Sequence, residues 1–140
     1  MVNILDGGPR PLVTGIEQLT VENTNYRTTL WTGSNLQVTL MSIDKGDDIG
    51  LEVHPTIDQF LRIEQGTATV KMGPSEDNLE TWTANDGDAV VVPAGTWHNL
   101  ISVGNEPLKV YSIYAPVQHP HGTVHVTKED AEAGEAEERE

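Results

Sequence analysis

Cysteine is absent from the 140 residues of this sequence. Disulfide frameworks, zinc–thiolate sites, iron–sulfur clusters and thiol nucleophiles are therefore excluded. The sequence also lacks any apolar run close to the roughly 20 residues that a membrane-spanning helix needs. Its first residues do not combine a basic start with an apolar stretch, so we expect no secretion signal and a cytoplasmic location.

Basic residues are scarce. Lys and Arg total 8 against 22 Asp and Glu, which gives a formal net charge of −14 at pH 7. A field of this sign repels phosphate backbones and anionic lipids, so nucleic acid and membrane surfaces are poor partners. Hydrophobic residues make up 36% of the chain, which is enough for the core of one domain.

Residues 28–115 alternate short strand-like segments with turns rich in Gly, Pro, Asn and Asp. In the segment LQVTLMSI, Leu36, Val38 and Leu40 share one face, which is the period of a half-buried strand. This rhythm indicates an all-β sandwich or barrel. The predicted strands are Thr28–Thr32, Leu36–Ile43, Ile49–His54, Gln59–Gln65, Thr67–Met72, Thr81–Thr83, Ala89–Val92, His98–Val103 and Leu108–Tyr114.

The two ends of the chain differ from this barrel region. We predict an N-terminal strap over residues 1–27 and a C-terminal strap over residues 116–128, both flanking the barrel. Residues 129–140 hold seven acidic residues and one Arg, with only Ala as apolar content. Such a segment buries too little apolar surface to offset its ordering entropy. We therefore expect a solvated tail that is partly helical or disordered.

Four polar residues are candidates for a metal site. Glu52 and His54 are two positions apart on a predicted strand, so alternation places them on one face. Gln59 begins the next strand, and His98 begins a later strand after a turn at Pro93–Gly95. Imidazole nitrogens and carboxylate oxygens suit divalent transition metals. A Glu–His pair at this spacing is by itself weak evidence, since such pairs more often form a solvated face.

The spacing of the whole set is more informative. The first block is Gly46, Glu52, His54, Gln59 and Gly66, and the second is Gly87, Pro93, Gly95 and His98. These two blocks resemble the two-motif signature of the cupin superfamily. The resemblance implies a double-stranded β-helix, the jelly-roll cupin barrel, and family members are commonly homodimers.

Three positions depart from the family pattern. Glu52 stands where the family has its first His, and Gln59 stands where it has its Glu. Ser102 stands where an Asn is usual. In the first two departures the carboxylate moves to position 52 and a neutral amide takes its place at position 59, so the charge of the ligand set is unchanged. This set is similar to the ligands of phosphomannose isomerases. The resemblance thus implies one divalent transition metal (Zn, Fe, Mn or Ni) held by Glu52, His54, Gln59 and His98. The alternative is a polar cavity without metal.

The implied function is a mononuclear metalloenzyme of isomerase or dioxygenase type that acts on a small polar, carbohydrate-like molecule. The alternatives are a non-catalytic cupin that binds or senses a small ligand, and a metal-free interaction protein. A phosphorylated substrate is disfavoured because phosphate recognition needs Arg or Lys near the pocket. By parity, Arg62 points away from the face of Gln59, Leu61 and Ile63, and Lys71 lies opposite Val70 and Met72.

A short histidine-rich tract, HPHGTVH, follows the last predicted strand. It contains His119, His121 and His125. Histidine-rich tracts can bind metal, but this spacing fits no metal motif known from sequence. We therefore interpret the tract as part of the C-terminal strap, lying on the barrel or on a partner subunit, in preference to a second metal site.

Overall fold

The computed structural model describes residues 5–138, with side chains described as far as residue 134. Nine β-strands follow a short helix and precede a C-terminal helix. In chain order the elements are α1 (Ile16–Glu22), β1 (Arg27–Thr32), β2 (Gln37–Ile43), β3 (Asp58–Gln65), β4 (Thr67–Ser75), β5 (Asn78–Asn85), β6 (Ala89–Val92), β7 (Trp97–Ser102), β8 (Leu108–Ala115), β9 (Val124–His125) and α2 (Lys128–Glu138). No helix within residues 5–138 is both long and apolar enough to cross a membrane.

The strands form two antiparallel sheets, which confirms the prediction of an all-β jelly roll. One sheet has six strands in the order β6-β3-β8-β2-β1-β9, and the other has three in the order β5-β4-β7. The predicted boundaries of β6 are those observed. Residues 73–80, which lie between the predicted strands Thr67–Met72 and Thr81–Thr83, complete a β4–β5 hairpin. These residues face solvent, so no buried stripe marked them as strands.

The predicted strand Ile49–His54 is not a regular strand. Gly50 has φ +87°, a backbone conformation that interrupts an extended chain. The segment instead runs beside β7 through two isolated bridges, which pair Asp48 with Ile101 and Glu52 with His98. This irregular edge places Glu52 beside His98 on β7 of the three-stranded sheet.

The interior of the barrel changes from apolar to polar along its length. Near one end, Met41 and Ile63 lie on either side of Val110, and all three are buried. Further along the same strands, Thr39 pairs with Ser112. The last row of side chains is fully polar and consists of Gln37, Tyr114 and Gln59. The candidate site lies at this polar end.

The two straps meet across the polar end of the barrel. The side chain of Gln37 makes two hydrogen bonds to the backbone of His119. Gln37 Nε2 donates to the His119 carbonyl at 2.8 Å, and Gln37 Oε1 accepts from the His119 N–H at 2.9 Å. The Asp6 carboxylate accepts hydrogen bonds from the backbone N–H groups of Thr32 and Gly122. These bonds join the N-terminal segment, the barrel and the C-terminal strap.

The acidic segment forms helix α2 over Lys128–Glu138, where the sequence favoured a solvated, partly helical or disordered tail. The helix has a fixed contact with the barrel. Lys128 Nζ donates to Asp48 at 2.6 Å and to Asp47 at 3.0 Å, and Ala131 is buried in the hydrophobic core. These contacts hold the helix beside the irregular edge that carries Glu52.

Candidate metal centre

Three of the four predicted site residues converge at one point. One ligand atom from each of Glu52, His54 and His98 lies within 4.8 Å of the others. The Glu52 Oε1 atom is 3.4 Å from His54 Nε2 and 3.5 Å from His98 Nε2. The His98 side chain is fully buried, whereas 28% of the Glu52 side chain is exposed. The cluster is therefore anchored in the barrel and open on one side.

The local backbone fixes each of these side chains. Glu52 is bridged to His98, and the carbonyl of His54 accepts a hydrogen bond from Gly95 N–H at 2.9 Å. His98 Nδ1 lies 3.0 Å from the carbonyl oxygen of Thr96. Because a carbonyl oxygen can only accept, Nδ1 is the donor, and the lone pair of neutral His98 stays on Nε2. That lone pair points toward the cluster.

The donor atoms of this cluster suit a cation. His54 Nε2 and His98 Nε2 are buried and make no hydrogen bond, and neither does the buried Gln59 Oε1. Buried polar atoms without partners are uncommon in folded proteins. Two imidazoles and one carboxylate form the donor set of mononuclear transition-metal sites. Gln59 lies on the inward face of β3, in the register position beside Tyr114.

The charge of Glu52 supports the same interpretation. Burial alone favours the neutral form of this carboxyl group. The neighbouring His54 and His98 rings outweigh burial and lower the pKa of Glu52 to about 2. Glu52 is therefore ionised at neutral pH and can only accept hydrogen bonds or bind a cation.

The structure adds three residues to the surroundings of the site: Arg27 and Tyr114, which the sequence did not single out, and His119, which the sequence analysis assigned to the C-terminal strap. Their exposed fractions are only 4%, 2% and 3%. The Tyr114 ring centroid lies 6.1 Å from that of His54 and 5.4 Å from that of His119. Arg27 Nη1 is 3.0 Å from His125 Nδ1. A continuous row of rings thus leads from the candidate centre to the C-terminal strap.

The buried Arg27 guanidinium corrects one expectation from the sequence, namely that no basic side chain lies near the site. Arg62 is exposed, as parity predicted. Arg27, however, places a positive charge inside the protein, close enough to influence both Tyr114 and His119. No sequence pattern marked Arg27 as buried, since β1 is buried on both faces and shows no alternation.

Burial controls the ionisation of Tyr114 and His119. Burial raises the pKa of Tyr114, and the charge of Arg27 opposes that rise only in part. Burial and then Arg27 lower the pKa of His119 to about 3. Both side chains are therefore neutral at pH 7 and available as hydrogen-bond donors.

The remaining sequence-based assignments have clear outcomes. Leu61 and Ile63 are buried on the same face of β3 as Gln59, as parity predicted, and Leu100 and Ser102 on β7 are buried as well. His121 is mostly exposed and its ring contacts the backbone carbonyl of Gly8. Among the residues that the structure describes, His119, His121 and His125 do not form a group that could hold a metal ion, whereas Glu52, His54 and His98 do form such a group.

Comparisons with known proteins agree with this architecture. The chain is 60% identical over 131 residues to the protein YrkC of Bacillus subtilis (strain 168), which covers 93% of this chain and 70% of YrkC. The crystal structure of BH2720 from Bacillus halodurans superposes with a TM-score of 0.92 at 58% identity and covers 93% of this chain and 99% of that one.

A more distant structure shares the fold alone. KdgF from Halomonas sp. has a TM-score of 0.61 at 19% identity, covering 83% of this chain and 96% of that one. The model of the family described as "Cupin domain" matches residues 39–114, which span β2 to β8 and include all four candidate site residues. The chain therefore belongs to the cupin family.

Proposed function

We propose that Glu52, His54, Gln59 and His98 hold one divalent transition-metal ion, and that the protein is a metal-dependent enzyme of isomerase or dioxygenase type acting on a small polar molecule. The observation that carries this proposal is the convergence of three donor atoms within 4.8 Å. The Nε2 atoms of His54 and His98 make no hydrogen bond, and this supports the proposal because a bound cation would accept both of their lone pairs.

The residues have distinct parts in this proposal. Glu52 is ionised and offsets part of the charge of the ion. His98 is held in one orientation by the Thr96 carbonyl, and Gln59 is the candidate for a weaker fourth ligand. The ion would supply Lewis-acid polarisation of oxygens on the bound molecule. The exposed part of Glu52 marks the side from which that molecule would enter.

A test combines metal content with turnover. The purified protein is reconstituted in turn with Fe(II), Mn, Ni and Zn, and its elemental content is measured. One ion per chain, together with turnover of hydroxy-ketones or metal-dependent oxygen uptake, would support the proposal. One ion without turnover of diols, hydroxy-ketones or hydroxy acids would favour a binding or sensing protein. No retained ion with any of the four metals would refute the metal centre.

Assembly and location belong to the proposal as well. A homodimer and a cytoplasmic location stay predictions, the first from the family and the second from the sequence. Sedimentation analysis of the purified protein tests the assembly, with a mass of twice 15.3 kDa expected.

A further inference from the structure

We propose that the cleft between strands β5 and β6 binds an uncharged aromatic ring, carried by the small molecule whose oxygens face the candidate metal centre. The inference rests on the proposed function, because it assigns the other end of that molecule to Glu52, His54 and His98. It narrows the small molecule to a compound that joins metal-binding oxygens to an aromatic ring.

The cleft lies where the two sheets end side by side. β5 is an edge strand of the three-stranded sheet, and β6 is an edge strand of the six-stranded sheet. Two cavities of about 680 and 340 Å³ open there, and Met72, Trp82 and Val91 line both of them. Sites for small molecules usually measure about 300–1,000 Å³, so the cleft has the size of a ligand site.

Trp82 gives the cleft an aromatic wall. It pairs with Val70 in the β4–β5 register, and Val70 belongs to the hydrophobic core, so the indole lies on the inner face of the sheet. Even so, 43% of Trp82 is exposed, and so is 61% of Val91 on β6. Aromatic rings pack well against both indole and thioether groups, and Met72 supplies the thioether. An aromatic ring therefore suits this lining.

The cleft borders the candidate metal centre. Met72 is the register partner of His98 on β7, so the two side chains are neighbours on one face. Gly95 and Thr96 also line the larger cavity. The Gly95 N–H donates to the His54 carbonyl, and the Thr96 carbonyl accepts from His98 Nδ1. A molecule bound at the centre can therefore extend past Met72 into the cleft.

The charges around the cleft exclude an acidic ring substituent. The charged residues that line the two cavities are all acidic, and the whole chain has a formal net charge of −14. A carboxylate or phosphate on the ring would meet repulsion and no cationic partner there. A sugar or an aliphatic diol, for its part, would leave Trp82 without a stacking partner. The combination favours an uncharged aromatic ring.

The test uses three hydroxamates, which offer a metal ion the same pair of oxygens. Acetohydroxamate carries a methyl group, benzohydroxamate a phenyl ring, and 4-carboxybenzohydroxamate a ring with a carboxylate. Each is titrated calorimetrically into metal-loaded protein and, for reference, into the free metal ion. The variant is Trp82→Thr, which keeps a residue suited to a strand. The matched control is Val103→Thr, at an exposed apolar position outside the cleft.

After correction for the free ion, benzohydroxamate should bind at least about 10-fold more tightly than acetohydroxamate, because the ring leaves water. The added carboxylate should not improve the affinity. Trp82→Thr should weaken benzohydroxamate binding by at least about 5-fold, since it removes the stacking partner. It should leave acetohydroxamate binding and the metal content unchanged, and Val103→Thr should leave all three affinities unchanged. Thermal unfolding shows whether each variant is folded.

Three results would overturn the inference. They are equal corrected affinities of benzohydroxamate and acetohydroxamate, an unchanged benzohydroxamate affinity in Trp82→Thr, and tighter binding of the carboxylated ring. Sedimentation of the wild-type protein and Trp82→Thr adds a further check. A wild-type dimer that Trp82→Thr dissociates would assign the cleft to a second copy of the chain and would equally overturn the inference.

Failure of the proposed function is recognised separately, because the wild-type protein would then retain no metal. The metal-free protein still tests the cleft, by saturation-transfer NMR with benzyl alcohol. A signal from the wild-type protein and Val103→Thr that is lost in Trp82→Thr would support a ring site in the cleft. No signal from the wild-type protein, or an equal signal from Trp82→Thr, would refute it.

Discussion

Glu52 and His98 exchange both of their backbone hydrogen bonds. Glu52 N–H donates to the His98 carbonyl at 3.0 Å, and His98 N–H donates to the Glu52 carbonyl at 2.9 Å. The pair lies outside the regular strand pairing, on the irregular edge beside β7. Main-chain pairing therefore holds a carboxylate and an imidazole side by side before any ligand arrives, which reduces the cost of ordering the site.

The negative charge of Glu52 should contribute more to metal affinity than the shape of its side chain. Glu52→Gln leaves the backbone bridge intact and removes one negative charge from the donor set. We expect the affinity for a divalent metal to fall by at least about 10-fold, since even partners of metal ligands contribute 10- to 100-fold. Competition with a chelating dye measures the affinity. Glu80→Gln, at an exposed position on β5, is the control. Equal affinities of the two variants would contradict this assignment.

His119 should make stability depend on pH. Burial and Arg27 lower the pKa of folded His119 to about 3, against an ordinary value of 6.5 for histidine. Between these values the unfolded chain binds a proton that the folded chain does not. The free energy of unfolding should therefore fall as the pH drops from about 6.5 towards 3, by up to about 1.4 kcal/mol per pH unit from this residue.

Denaturant unfolding at several pH values measures this dependence. His119→Gln should give a flatter profile than the wild-type protein over the same range. His121→Gln removes an exposed histidine of the same strap and serves as the matched control. Identical slopes for His119→Gln and the wild-type protein would show that the buried ring does not contribute.

Two glycines with the same backbone conformation offer a matched comparison. Gly66 and Gly87 have φ angles of +93° and +92°. A Cβ at Gly66 would lie 3.1 Å from the carbonyl oxygen of Pro107 and 3.2 Å from Leu108 Cα, whereas a Cβ at Gly87 would meet nothing within 4 Å. Gly87→Ala should lower the free energy of unfolding by about 1–2 kcal/mol through backbone strain alone.

Gly66→Ala should cost at least about 1 kcal/mol more, because the crowding atoms belong to the backbone. Thermal or chemical unfolding of the two variants gives the difference directly. Equal losses of stability would mean that the β3–β4 turn can move away from the Pro107–Leu108 segment.

Lys128 should anchor helix α2 to the edge that carries Glu52. Its ammonium group contacts Asp47 and Asp48, which raise the pKa of Lys128 although burial lowers it. Because these ion pairs are partly exposed, Lys128→Met should lower the free energy of unfolding by no more than about 1 kcal/mol, and by less in high salt. Amide hydrogen exchange of residues 46–50 should increase. Lys45→Met, at an exposed position of the same loop, should leave exchange there unchanged.

Much of the barrel could be predicted because its signals are local. Strand alternation and turn residues located β6 at its observed bounds and placed β2, β3, β7 and β8 within one residue at either end. The failure at Ile49–His54 has a local cause as well. Alternation identified Glu52 and His54 as neighbours, but it could not show that Gly50 breaks the extended chain.

The residues that the sequence missed depend on contacts between distant segments. Arg27 on β1, Tyr114 on β8 and His119 on the C-terminal strap meet only after the straps cover the polar end of the barrel. Arg27 and Tyr114 have no sequence motif around them, and the histidine-rich tract around His119 did not indicate a contact with Tyr114. Helix α1 was missed for a related reason, since its packing against β2, β3 and β8 stabilises a seven-residue helix that would be marginal in isolation.

The central claim is that His54 and His98, with Glu52, hold one metal ion. The most direct measurement is the metal content, by elemental analysis, of protein reconstituted with each candidate metal and then desalted. The wild-type protein and the His121→Gln variant should retain one ion per chain, whereas His54→Gln and His98→Gln should retain none. Equal metal content in all four proteins, each shown to be folded, would contradict the account.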